Sequence, residues 1–221
     1  CGREILFAAC NWGTDGVYDW IRSSGAHTYR STGDIQDNWE SITNLAISQM
    51  GKEPYTGNFC HNDMDMLVVG MHGASNDGFI GSKIGGCTDQ EYLTHFALWA
   101  IMGSPLIMGC DLRKASEETK KTLLNKDLIA INQDPLGIQA ERAIRADHYD
   151  VWVKPLSDGS KAIACLNRIS GPVDVELNVK TVEGLSLDRV YDVIEGSLVA
   201  EASTGWIVKL APGECKVFIC K

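Results

Sequence analysis

The spacing of apolar positions changes period near residue 140. Before it, short apolar runs alternate with segments of helical spacing. Residues 4–11 have strand character; Val17, Trp20 and Ile21 then share one helical face, with Gly25 as a C-terminal stop. A second strand is expected over residues 27–31, a helix from Trp39 carrying Ile42, Leu45 and Ala46, and a third strand over residues 64–69. A Gly-rich stretch, 70–86, leads to Thr88 and Glu91, whose spacing is that of a capping box. The helix behind it turns Leu93, Phe96, Ala97, Ala100 and Ile101 inward. Residues 105–110 then predict a fourth, buried strand, and Ser116 caps another helix. Strand–helix alternation of this kind predicts βαβ units and a parallel sheet.

Beyond residue 140 the helical spacing stops. Val173, Val175, Leu177 and Val179 alternate with Asp174, Glu176, Asn178 and Lys180, the pattern of a half-exposed antiparallel strand. Further strands are expected over residues 150–154, 161–167, 189–194, 206–210 and 216–220, separated by turn-forming Gly and Pro clusters. Some eighty residues of such pattern suit one antiparallel β-sandwich.

Charge and cysteine content narrow the function. Twenty Lys and Arg against 29 Asp and Glu give −9, the wrong sign for nucleic acid or an anionic membrane. The apolar segment 96–110 is short and broken by Gly103 and Pro105, so no membrane span is expected. The first residues carry no targeting pattern. Eight cysteines without a CxxC pair give a zinc site little support. Cys215 and Cys220, on opposite faces of one strand, do not bridge each other; the set reads as reduced thiols in a cytoplasmic setting. Gly81-Ser82-Lys83-Ile84-Gly85-Gly86 has neither phosphate-loop nor dinucleotide spacing, which argues against a nucleotide cofactor.

In parallel β/α architectures the functional face lies at the carboxyl ends of the strands. There the chain carries Asn11 and Trp12, then Arg30 and Asp34, then Asp63, Asp65 and Met66, then Asp111. An aromatic platform beside several carboxylates suits a sugar site. Each residue also has a plainer reading: Asp34 suits a helix N-cap, Arg30 an ordinary ion pair, Asp63 or Asp65 a loop brace, His61 a loop histidine. Trp20, Trp39, Trp99, Trp152 and Trp206 suit the core.

Four segments together resemble the α-galactosidase/melibiase family, glycoside hydrolase family 27. They are Cys10-Asn11-Trp12-Gly13, the run from Tyr29 through Arg30-Ser31-Thr32-Gly33-Asp34 to Trp39, Asn62-Asp63-Met64-Asp65-Met66-Leu67, and Ile129 through Asn132-Gln133-Asp134-Pro135 to Gly137. The resemblance implies the second half, strands 5–8, of a (β/α)₈ barrel over residues 1–140, followed by an antiparallel β-sandwich over 141–221. It implies retaining hydrolysis of terminal α-galactosides without metal or cofactor. Asp34 takes the place of the general acid/base, a role that calls for a pKa raised by burial or a neighbouring carboxylate. Arg30, Asp65 and Met66 take substrate-lining places. Asn11 stands where many members carry a glutamate at the sugar 2-hydroxyl, which leaves α-N-acetylgalactosaminidase, β-L-arabinopyranosidase or a non-catalytic galactoside-binding fragment as alternatives. The family's nucleophile and the N-terminal half barrel, strands 1–4, fall upstream of Cys1. The expected partners are therefore an α-galactoside and that half barrel, as an upstream segment or a separate chain, with oligomerisation left open.

Overall fold

The computed structural model describes residues 2–73, 86–199 and 205–221. Its first part is an arc of parallel β/α units. Strand β1 (Ala8–Cys10) is followed by α1 (Val17–Trp20) and a 3-10 turn ending at Gly25, which adopts the left-handed conformation (φ 78°) expected of a stop. Strand β2 (Thr28–Arg30) leads to α2 (Trp39–Ile47), and β3 (His61–Asp63) to α3 (Asp89–Met102). The three strands pair in parallel in the order β1-β2-β3. α3 begins at the expected capping box, with both the Thr88 and Glu91 bonds present. α4 (Glu117–Leu123) starts at Ser116, and a further helix, α5 (Lys126–Asn132), is capped by Asn125. Most of the Gly-rich stretch, residues 74–85, lies outside the described residues.

Two strand positions differ from expectation. The third ladder runs through the polar residues His61–Asp63, whereas residues 64–69 make a single parallel bridge, Leu67 to Met108. Leu67, Val68 and Val69 are apolar because they are buried in the main core, not because they join a ladder. The expected fourth strand at 105–110 is reduced to that same bridge, and Ile107 is 61% exposed rather than buried. Trp20, expected in the core, is also exposed; its indole N–H donates to the Asp15 carbonyl at 3.0 Å.

The second part holds a six-stranded antiparallel sheet in the order β4-β5-β6-β11-β8-β9 and a two-stranded sheet, β10-β7. The strands are β4 (Glu141–Arg145), β5 (Tyr149–Pro155), β6 (Lys161–Asn167), β7 (Val173–Leu177), β8 (Val190–Asp192), β9 (Ser197–Val199), β10 (Trp206–Leu210) and β11 (Cys215–Cys220). β4 and β9 have no counterpart in the sequence pattern. The larger sheet is covered on both faces, which is why β6 is almost continuously apolar. Val151, Ile163, Cys165, Phe218 and Cys220 pack against Val175, Leu177, Val208 and Leu210 of the smaller sheet. From the opposite face Trp152, Ala162, Ala164, Leu166, Cys215 and Val217 pack into one core with α3. Cys215 and Cys220 thus belong to separate cores, and both are free thiols.

Polar contacts reinforce this junction. Thr94 of α3 donates to the Gly213 carbonyl at 2.8 Å and accepts from the Cys215 N–H at 2.9 Å. Lys154 is fully buried, with Nζ donating to the Ile131 carbonyl at 2.7 Å, a cation at the negative end of α5. Burial pulls its pKa down to about 8, against a smaller pull from Asp134. His95 is also fully buried: Nε2 accepts from the Val68 N–H at 3.1 Å, and the ring meets Trp99 edge-on. Burial pulls that imidazole down to about 3. Among the described residues no helix is long and apolar enough to cross a membrane.

Candidate active site

Strand register assembles the site. Cys10, Arg30 and Asp63 lie side by side at the carboxyl ends of β1, β2 and β3. Asn11 and Trp12 leave the first end, Ser31 to Asp34 the second, Met64 to Met66 the third. The loop after β1 closes onto β2 through Gly13, whose N–H donates to the Arg30 carbonyl at 3.2 Å. A Cβ on Gly13 would stand 2.4 Å from the Ser31 carbonyl oxygen, and the residue has φ 76°, so only glycine fits this approach. Trp12 also has a positive φ (58°), uncommon for a bulky residue, and its side chain is 57% exposed.

Arg30 joins the other two strand ends. Its Nη2 donates to Asp65 Oδ2 at 2.7 Å, to Asp34 Oδ1 at 2.8 Å and to the Gly33 carbonyl at 3.1 Å. The Arg30 and Asp65 side chains are each only 13% exposed, and a charge-assisted bond in such shelter contributes about 1.5–3 kcal/mol. Asp34 is 62% exposed, so its ion pair contributes well under about 1 kcal/mol. The geometry therefore fixes Asp65 and leaves Asp34 facing solvent.

Asp65 is the hub. Oδ2 also accepts from the Ile35 N–H at 2.7 Å, Oδ1 accepts from the Met66 N–H at 2.7 Å, and its carbonyl accepts from Trp99 Nε1 at 2.7 Å. Both carboxylate oxygens are thus engaged. Met66 is partly buried against the main core, facing Gly109, where an added Cβ would stand 2.8 Å from its sulfur. Asp63, half-buried, has its pKa pushed up by desolvation, with the Asp65 N–H and Arg30 acting in the opposite direction.

Of the sequence-derived candidates, the structure brings Arg30, Asp34 and Asp65 into one bonded group. Asn11 and Trp12 stand at the adjoining strand end, linked to it through the Gly13–Arg30 backbone bond. Asn11 Nδ2 donates to the Thr14 carbonyl at 2.9 Å, while Asn11 Oδ1 and Arg30 Nε are buried with no partner among the described residues. Asp34 does not cap a helix: the N-cap of α2 is Asn38, which accepts from the Ser41 N–H at 2.8 Å. Nor is Asp34 buried as its expected role suggested; its carboxylate neighbour Asp65 reaches it through the shared guanidinium.

Sequence reasoning included Asp37 in the run after the second strand but gave it no role. Its carboxylate accepts from Tyr92 OH at 2.8 and 3.0 Å, from the Gly73 N–H at 2.7 Å and from the Cys87 N–H at 3.3 Å. No local pattern signals partners 36 to 55 positions away. At the opposite, amino-terminal end of the strands lies a cavity of 290 Å³ lined by Thr28, His61, Ser104 and Asp134. Polar groups of its lining are already bonded: Asn132 donates to the Ser104 carbonyl at 2.9 Å, and Asp134 accepts from Ser157 Oγ, outside the lining, at 2.8 Å. His61 lies in strand β3 rather than a loop, with its pKa pulled down by burial and by Lys154.

A family model described as alpha galactosidase A matches residues 1–134, and one described as the alpha galactosidase C-terminal beta sandwich domain matches residues 146–220. The chain is 34% identical to an alpha-galactosidase of Cyamopsis tetragonoloba, over 99% of this chain and 50% of that protein. It is 35% identical to alpha-galactosidase 2 of Arabidopsis thaliana, over 98% and 52%. The crystal structure of a candidate alpha-galactosidase/melibiase from Bacteroides fragilis superposes with a TM-score of 0.95 at 65% identity, covering 99% of this chain and 47% of that one. The chain spans about half the length of the curated relatives it matches. With the strand ends, the Arg30 cluster and the sandwich in their observed places, the chain belongs to the alpha galactosidase A (melibiase) family, of which it carries part of the barrel and the C-terminal β-sandwich.

Proposed function

We propose that this chain supplies the acid/base side of a retaining glycosidase site that releases terminal α-linked galactose. The observation that carries the reading is the Arg30 guanidinium joining an exposed carboxylate, Asp34, to a sheltered and fully engaged one, Asp65, at the carboxyl ends of parallel strands. A proton donor must reach the substrate, and a carboxylate whose oxygens are both taken suits support. Asp34 is therefore the general acid/base and Asp65 a positioning residue.

In the first step Asp34 protonates the glycosidic oxygen while a carboxylate carried by the upstream part of the protein attacks the anomeric carbon, expelling the aglycone as an alcohol. In the second, Asp34 takes a proton from water, which attacks the same carbon and releases galactose and the free carboxylate. In this reading Arg30 and Asn11 meet sugar hydroxyls near the 2-position, Trp12 meets the apolar face of the ring, and Met66 forms part of the pocket wall.

Asp34→Ala in the full-length protein tests this. The loss should reach roughly 10²–10⁴-fold on galactosides with poor leaving groups and be small on activated aryl galactosides. Added azide should yield a galactosyl azide of retained configuration. Equal loss on every substrate, with no azide product, would move the role to another residue.

A further inference from the structure

Among the described residues the Asp34 side chain makes one hydrogen bond, to Arg30, so its place is set largely by the chain that carries it. From Thr32 onward that chain, the connection from β2 to α2, is fixed to other elements of the fold at three points among the described residues. Thr32 Oγ1 donates to the Met64 carbonyl at 3.1 Å, and the Ile35 N–H donates to Asp65 Oδ2. Between Thr32 and Asp34 stands Gly33, whose carbonyl accepts from Arg30 Nη2 at 3.1 Å, so on its amino side Asp34 is held by local bonds and by Thr32, and on its carboxyl side by Ile35 and the segment beyond.

The third fixed point is Asp37, three residues on. It and Tyr92 together gather the backbone N–H groups of His72, Gly73 and Cys87. Gly73 donates to Asp37 at 2.7 Å and His72 to Tyr92 OH at 2.6 Å; Cys87 reaches Asp37 at 3.3 Å and Tyr92 OH at 3.4 Å. Tyr92 is buried in the first turn of α3, where burial and the Asp37 bond push its phenol up, so it remains a donor. The two strands of chain held here touch: a Cβ on Gly86 would stand 2.4 Å from the Gly73 nitrogen. One carboxylate thus ties the segment bearing Asp34 to α3 and to two backbone positions distant in sequence.

We propose that Asp37 is a positioning residue for Asp34, holding the β2–α2 connection so that the Asp34 carboxyl meets the leaving-group oxygen. The inference rests on the acid/base reading of Asp34. A carboxylate accepting two backbone N–H groups and a phenol is not replaced by an amide, which accepts through one atom only. The predicted defect is one of placement, and misplacement by about 1 Å can cost roughly 10²-fold.

The test compares Asp37→Asn, Asp37→Glu and Asp34→Ala in the full-length protein on an alkyl α-galactoside and an activated aryl α-galactoside. Asp37→Asn should lower kcat on the alkyl substrate roughly 10- to 100-fold with KM nearly unchanged, and lower the aryl rate much less. Asp37→Glu, which keeps the charge, should recover part of the alkyl activity. Should Asp37→Asn not fold, Tyr92→Phe, which removes one donor, should show the same leaving-group bias in milder form. Equal loss on both substrates, or a rise in KM alone, makes Asp37 a structural brace and overturns the proposal. If Asp34→Ala itself shows no leaving-group bias, the acid/base reading falls, and this inference with it; bias in Asp34→Ala but not in Asp37→Asn or Tyr92→Phe removes this inference alone.

Discussion

The backbone N–H of Asp65 donates to Asp63 Oδ1 at 2.8 Å, and Asp65 adopts φ 91°, a conformation that residues with a Cβ rarely take. The short bond across two residues holds that backbone so that the Asp65 carboxylate can meet both Arg30 and the Ile35 N–H. Strain at one residue is thereby turned into fixed geometry between two strand ends.

Asp65→Asn keeps one carbonyl oxygen and loses the charge facing Arg30. In the full-length protein kcat should fall roughly 10²-fold, and the melting temperature should drop as well, because the charge-assisted bond to Arg30 is lost. Steady-state kinetics beside a thermal melt checks this; turnover unaffected by the change would remove Asp65 from the positioning role.

Asn11→Glu exchanges an amide that donates to Thr14 for a carboxylate, at the strand end adjoining that of Arg30, whose Nε has no hydrogen-bond partner among the described residues. Action on galactosides should be kept or improved. Any action on N-acetylgalactosaminides should worsen, shifting the ratio of kcat/KM values by about 10-fold. An unchanged ratio would show that Asn11 does not line the 2-position.

Lys154 has a folded-state pKa of about 8, against 10.5 for the free side chain. Between those values the unfolded chain holds a proton that the folded one does not, so this group makes stability rise with pH. Denaturant unfolding of wild type and Lys154→Met at pH 8 and pH 10.5 should show the wild type gaining on the order of 2 kcal/mol relative to the variant. A constant difference between the two proteins would contradict the burial argument.

His95, held neutral down to a pKa of about 3, acts at the acid end. As pH falls below 6.5 the unfolded state takes up a proton that the folded state refuses, and stability declines toward pH 3. His95→Gln retains an acceptor for the Val68 N–H and has no such proton. Its unfolding free energy should fall less than that of the wild type over this range, by roughly 2–4 kcal/mol. Parallel acid profiles would refute the assignment.

Where the apolar pattern and the hydrogen-bonded element coincide, the fold was legible. The strands Lys161–Asn167 and Trp206–Leu210 and the Thr88–Glu91 capping box stand where spacing put them. The pattern misled where burial and hydrogen bonding part company: His61–Asp63 forms a ladder although it is polar, and Leu67 to Val69 are buried almost without one. β4 escaped because Glu-Arg-Ala-Ile-Arg carries too few apolar positions to show a period. In the site, Arg30, Asp34 and Asp65 were placed at strand ends by the pattern and given roles by the family resemblance. Asp37, in the same run as Asp34, received no role, since its partners belong to another unit of the fold.

α3 turns toward both halves of the protein. Thr94 grips β11, while Trp99 holds the Asp65 carbonyl and Tyr92 holds Asp37. The sandwich is therefore no detachable appendage, although the two family models leave a gap between residues 134 and 146. Grafting it away would strip the cover from one side of the helix that frames the site. Exchanges at Ala162, Ala164 or Val217 should be felt through α3 at the Asp65 and Asp37 contacts, and transplanting this barrel segment to a new scaffold requires carrying its β-sheet along.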